Sequence, residues 1–119
     1  MIHWIIVLFV TVLAAFAPKT TTVTATYVTI CEADVRLKAN AGFKVHNTGS
    51  TKLSGCVIET WVGPGENDWT TLSSWVTCAA LAAGAKTTWE LAGNANEFLR
   101  VRAKTATSTT TTYCRPYGN

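Results

Sequence analysis

The chain has 119 residues, a formal net charge of +3 and a charged fraction of 14%. That length suits one domain with one modest core, and the apolar fraction of 48% argues against a disordered chain. The positive balance is too weak for a nucleic-acid binder, which needs a dense basic patch. Threonine stands where charged residues usually would. It is β-branched, suits strands, and keeps an exposed strand face wet without charge. The first expectation is therefore an all-β protein.

The chain opens with an apolar run from Ile2 to Ala17 in "MIHWIIVLFVTVLAAFAPK". Three readings fit it. It has the apolar length of a secretory signal, and Ala15, Phe16 and Ala17 have the A-x-A form of a cleavage site, although no Lys or Arg precedes the run and Pro18 would follow the cut. As a membrane helix it reaches roughly 24 Å at about 1.5 Å a residue, short of the ~30 Å hydrocarbon core. As a strand, Ile5, Ile6, Val7, Leu8, Phe9 and Val10 are apolar on both faces and need a cover on each side, which a neighbouring subunit supplies by strand addition. Residues 1–19 are set apart on this basis as a signal, anchor or assembly segment, and residues 20–119 as the folded domain.

Strand-like stretches separated by turn signals follow. "TTTVTATYVTIC" (Thr20 to Cys31) has high β propensity. "GFKVHN" places Phe43 and Val45 on one face, Lys44 and His46 on the other. "NTGSTKLSG" is a loop by composition. "CVIETWV" and "WTTLSSWVTC" flank a Gly63-Pro64-Gly65 turn. "ALAAG" fits one helical turn or a loop. "KTTWEL" is a strand that sends Trp89 to the core. "EFLRVRAK" puts Leu99, Val101 and Ala103 on one face and Arg100, Arg102 and Lys104 on the other. "TSTTTTYC" closes the set. About seven short strands at regular spacing predict an antiparallel β-sandwich.

Two passages add a resemblance. "HNTGSTKLSG" after an alternating strand, and "LAAGAKTTWEL" leading to "EFLRVRAKTATS", resemble the corresponding passages of fibronectin type III-like and adhesion-type immunoglobulin-like sandwiches. The match covers roughly residues 35 to 115. The tyrosine usual near the start of the sixth strand is absent, Phe98 being the nearest aromatic residue. The resemblance implies a binding or spacer module rather than an enzyme, and fold analogy alone does not fix function.

The hairpin from Cys56 to Cys78 is symmetric about Asn67. Folded there, Cys56 faces Cys78, Ile58 faces Val76 and Val62 faces Leu72 on the inner side. Glu59 with Trp75, and Trp61 with Ser73, lie on the outer side. Opposed Cβ atoms about 4.5–5.5 Å apart come near disulfide reach, so Cys56 is expected to pair with Cys78, leaving Cys31 for Cys114. Two other connectivities satisfy the count, and four reduced cysteines packed as small hydrophobes are the rival. With the "EFLRVRAK" strand alongside, as the resemblance implies, one outward face would carry Trp61, Trp75, Glu59, Arg100 and Arg102, with Trp69 by the turn. Such a face is either a contact surface, since Trp and Arg dominate hot spots, or plain cross-strand stabilisation.

No nucleophile motif, phosphate loop or metal signature is visible. The cysteines are widely spaced, and only His3 and His46 could assist a metal. Glu66 and Asp68 are ordinary turn residues. Neither catalysis nor a cofactor is expected. The leading expectation is a structural subunit of a virion surface or extracellular filament, docked through its apolar N-terminal segment onto other copies of itself or a larger lattice, with a membrane contact through residues 2–17 as a variant. The alternative is a secreted or membrane-anchored module that recognises carbohydrate or protein through the Trp/Arg face. Two disulfides would place either one outside the cell, at its surface or on a virion.

Overall fold

Alternation of inward apolar and outward polar side chains is the rule along most of the chain from Lys19 to Gly118, and it builds eight strands. The structure, a computed structural model, describes residues 16–119. The segment read as an assembly strand, Ile5, Ile6, Val7, Leu8, Phe9 and Val10, lies outside those residues. The elements are β1 (Lys19–Val23), β2 (Val28–Asp34), β3 (Asn40–Asn47), β4 (Leu53–Trp61), β5 (Trp69–Ser74), a one-turn helix α1 (Val76–Ala79), β6 (Lys86–Ala92), β7 (Phe98–Thr105) and β8 (Thr110–Gly118). Among the described residues no helix is long and apolar enough to cross a membrane.

The strands form two antiparallel four-stranded sheets, in the orders β1-β8-β3-β6 and β2-β7-β4-β5. The all-β sandwich is the architecture the sequence implies. Its strand order, however, is not that of the immunoglobulin and fibronectin type III sandwiches. There the first two strands pair within one sheet. Here β1 lies beside β8, and β2 belongs to the opposite sheet. This wrapped order is that of a jelly roll. The stretch from Thr20 to Cys31, which reads as one strand, breaks at Thr24–Tyr27, where the chain crosses from sheet to sheet.

The core lies between the sheets. β7 is the clearest case: Leu99, Val101 and Ala103 are fully buried while Arg100, Arg102 and Lys104 are partly exposed. Ile30 and Val35 from the second sheet's edge, Phe43 and Val45 from β3, and Leu53 and Ile58 from β4 complete the layer. Each such side chain contributes about 1.5–3 kcal/mol by leaving water. One polar residue sits among them. Asn47 is 0% exposed, and its amide donates to the carbonyls of Thr51 (2.8 Å) and Leu81 (3.1 Å) while its oxygen accepts from the Thr110 hydroxyl (2.8 Å). It ties three loops together with its polar atoms satisfied, as burial demands.

Two disulfides cross-link the fold. Cys31 on β2 bonds Cys114 on β8, joining one sheet to the other, with Cα atoms 5.8 Å apart. Cys56 on β4 bonds Cys78 on α1, with Cα atoms 5.6 Å apart. The second bond forms, but not through the hairpin register that suggested it. β4 and β5 fold about the Gly65 region: Trp61 faces Trp69, Thr60 faces Thr70, and a bulge at Ile58/Glu59 leaves Ile58 opposite Ser73. β5 ends at Ser74. Val62 and Leu72, expected inside, are 59% and 39% exposed.

Trp75 is the largest correction. It does not share the outward face with Trp61; it is 3% exposed, inside the core. The chain turns inward after Ser74, the Trp75 backbone N–H donates to the Cys56 carbonyl (3.2 Å), and α1 then carries Cys78 back beneath β4. The indole N–H donates to the Thr77 hydroxyl (2.9 Å), which pairs with that of Thr87 on β6 (2.9 Å). A large ring buried at the price of one satisfied polar atom favours this route over an extended strand. Trp89, expected in the core, is half-buried, packed against the core with its ring 6.2 Å from that of Phe43.

Candidate binding site

The outward face of the second sheet brings most of the remaining sequence-predicted residues together. Pleating turns Glu59 and Trp61 of β4, and Phe98, Arg100 and Arg102 of β7, to the same side, and the register sets Glu59 opposite Arg100. The Arg100 Nε donates to Glu59 Oε1 at 2.7 Å, and Arg102 lies 3.9 Å from the same oxygen. Both partners of the closer pair are largely shielded, with side chains 18% and 12% exposed. The Arg100 guanidinium also lies over the Trp69 ring, 4.3 Å from its centroid. It is thus fixed from two sides.

The two tryptophans are held by the turn between them. The Trp61 Nε1 donates to the Gly65 carbonyl (2.8 Å), and the Trp69 Nε1 donates to the Glu66 carbonyl (3.1 Å). Asp68 closes the turn by accepting from the Gly65 N–H at 2.7 Å. Gly63 has φ +54°, and a Cβ there would lie 2.7 Å from the Trp61 ring, so only glycine lets the turn pass so close. Both indole N–H groups are consumed within the turn. What remains for a ligand is the ring faces.

Phe98 extends the platform. Its ring meets Trp61 edge to face, with centroids 5.8 Å apart at 85°. The Arg36 guanidinium covers it, 4.8 Å from its centroid. Arg36 is oriented by a fork to Asp34, with Nε donating to Oδ1 at 2.9 Å. That hydrogen bond holds the Asp34 carboxyl below the usual carboxylate range. Asn94 steadies the loop carrying Arg36 by donating to the carbonyls of Val35 (2.9 Å) and Lys38 (3.0 Å), and Thr60 reaches Asn96 across the base of the site (2.8 Å). Trp61, Pro64, Glu66, Trp69 and Phe98 line an open cleft of about 310 Å³.

The structure therefore places Trp61, Trp69, Glu59, Arg100 and Arg102 on one surface and takes Trp75 away. Phe98, Arg36, Pro64 and Glu66 join without having been singled out. The signal for Phe98 was present: in "EFLRVRAK" it has the parity of Arg100, not that of the buried Leu99. The Asp34–Arg36 spacing gave no comparable cue. Among the described residues no three His, Cys, Asp or Glu side chains converge as a metal site.

No protein-family model matches the chain, and no curated protein matches it. Solved structures share the fold. PirA aligns with a TM-score of 0.58 at 12% identity, over 86% of this chain and 93% of its own. Chitosan-binding module 1, derived from a chitosanase/glucanase of Paenibacillus sp. IK-5, aligns with a TM-score of 0.51 at 12% identity, over 87% and 97%. A protein of Bacillus endospore appendages, described as a novel family of disulfide-linked pili, aligns with a TM-score of 0.47 at 14% identity, over 86% of this chain and 83% of its own.

Proposed function

We propose that this chain is a non-enzymatic recognition module whose Trp61–Trp69–Phe98 cleft takes the apolar face of a sugar ring in a polysaccharide. One observation carries the reading: the turn absorbs both indole N–H groups and leaves two locked ring faces lining an open cleft. Preset rings lose little conformational freedom on binding. Arg36 and Arg100 at the rim, and Glu66 in the lining, supply the few polar groups that orient a ligand in a mostly apolar pocket. The fold shared with a chitosan-binding module is compatible with this, but the ring geometry bears the weight. Two disulfides suit an oxidising, extracellular or surface location.

The test is binding to a panel of soluble and insoluble neutral polysaccharides. Trp61→Ala and Trp69→Ala are each expected to weaken binding by about 30-fold, corresponding to about 2 kcal/mol for a hot-spot ring, with the near-ultraviolet circular dichroism band of the remaining tryptophans intact. A folded wild-type chain that binds nothing in the panel, or variants that bind as tightly as wild type, would overturn the proposal.

A second reading rests on the apolar run from Ile2 to Ala17. We infer a subunit that docks through this segment onto further copies or a larger extracellular or virion lattice, with the sandwich as its outward part. Removal of residues 1–15 is expected to leave a folded monomer that no longer assembles, as read by light scattering. Assembly that survives the deletion sinks this reading and leaves the cleft untouched.

A further inference from the structure

The other sheet carries a second unassigned surface. Strand pairing sets its outward side chains in straight rows across β8, β3 and β6. Tyr113, His46 and Lys86 form one row, Arg115, Lys44 and Thr88 the next, and Tyr117, Gly42 and Glu90 the third. Lys44 stands directly opposite Arg115, and His46 directly opposite Lys86, on strands about 4.8 Å apart. Like charges directly opposite one another, as on Lys44 and Arg115, destabilise a sheet, and a surface selected for stability alone would set an acid between them. None of the seven acidic side chains comes within 4.0 Å of any of these four groups.

The rows are also shaped. A groove of about 310 Å³ runs over them, lined by Lys44, His46, Lys86, Tyr113 and Arg115 among others. Tyr113 is 40% exposed there. Tyr117 lies across β3 at one end, above Gly42, where a Cβ would meet its ring at 2.4 Å. Lys44 Nζ sits 5.5 Å from the centroid of that ring. Burial, and after it the neighbouring Glu90 carboxylate, push the Tyr117 hydroxyl up to about 12, so the phenol stays neutral, and Glu90 is the one acidic side chain in the three rows.

The geometry points to a second binding site, in which Arg115 with Lys44, and His46 with Lys86, clasp successive sulfate or carboxylate groups of an acidic polysaccharide. A bound anion relieves the repulsion between Lys44 and Arg115. The ligand is a polysaccharide rather than a nucleic acid for three reasons. The whole chain is only +3, and the groove offers one exposed ring, whereas single-stranded nucleic acid is held by a basic channel with several stacking aromatics. The disulfides also set the molecule in an oxidising compartment. This site stands apart from the aromatic cleft, on a different sheet.

The experiment measures binding of the full chain to dextran sulfate, polygalacturonate, uncharged dextran and single-stranded DNA from 50 to 300 mM salt, a range chosen because screening strengthens across it. The wild type is expected to bind one or both acidic polysaccharides and not dextran, with affinity falling as salt rises. The triple variant Lys44→Gln/Lys86→Gln/Arg115→Gln is expected to bind roughly tenfold or more weakly, through loss of charge-assisted hydrogen bonds, and to show a shallower salt dependence. It is expected to melt no lower than wild type, since repulsion has been removed. The variant Lys38→Gln/Lys52→Gln/Lys104→Gln, with the same change of net charge, is expected to bind as wild type does. Equal loss in the two triple variants, tighter binding to DNA than to either acidic polysaccharide, or no binding to either acidic polysaccharide would overturn the assignment.

Discussion

A Cys31→Ala/Cys114→Ala double variant is expected to lose about 4–5 kcal/mol of unfolding free energy, the larger of the two disulfide effects. The bond spans 83 residues, and by the loop-entropy relation a cross-link of that span restricts the unfolded chain by about this much. It also joins β2 of one sheet to β8 of the other, so its loss removes the only disulfide that bridges the two sheets among the described residues. A domain of this size holds roughly 5–15 kcal/mol in all, so the variant is expected to be marginal at 37 °C. Removing Cys56–Cys78, which spans 22 residues, is expected to cost roughly 3 kcal/mol. Urea unfolding read by tryptophan fluorescence checks both, with a steeper denaturant dependence in each variant because the unfolded chain exposes more surface. The reverse order of losses would show that native packing around α1, rather than chain restriction, dominates.

Trp75→Ala is expected to cost about 3–5 kcal/mol, the usual range for deleting a buried aromatic ring. The ring is 3% exposed. Its loss leaves a cavity beneath β4 and strips Thr77 of a donor in the chain that runs on to Thr87. Affinity for a polysaccharide, measured on the folded fraction at low temperature, is expected to stay at the wild-type value. Trp61→Ala is expected to do the opposite, weakening binding with a smaller loss of stability, because that ring is half-exposed on the sheet surface. If Trp75→Ala instead abolished binding in a fully folded chain, the buried ring would have to be reassigned to the site.

These two tryptophans also show how far the sequence can be read. Alternation in "EFLRVRAK" and "GFKVHN" suffices to sort inner from outer faces, because both strands are paired on each side. The run from Trp69 to Cys78 alternates almost as well, yet the strand stops at Ser74. No Gly or Pro marks the turn. What decides it is distant: the open end of the sandwich accepts an indole, and Cys56 waits on the neighbouring strand. A register centred on residue 67 pairs the right cysteines although the hairpin folds about residue 65, because α1 rather than β5 carries Cys78. The strand order was beyond reach for a similar reason. Whether β1 pairs with β2 or with β8 depends on which partner covers Val23, and the threonine-rich residues 20–24 pair equally well with either.

The aromatic cleft was half legible for physical reasons too. Trp61, Trp69 and Arg100 stood out by type. Phe98 and Arg36 enter because β2 and β7 are neighbours with Asp34 opposite Phe98, a pairing across 64 residues that no local pattern announces.

The Cys31–Cys114 bond has a mechanical side as well. Phe16 packs close to Gly118, and Lys19 stands opposite Cys114 at the first rung of the β1/β8 ladder. A pull between the two ends therefore begins by peeling β1 away rather than shearing the whole molecule. It then meets the sulfur bridge, and tension passes straight from residue 31 to residue 114. Everything enclosed between them, the aromatic cleft and most of the basic rows included, is shielded from the load.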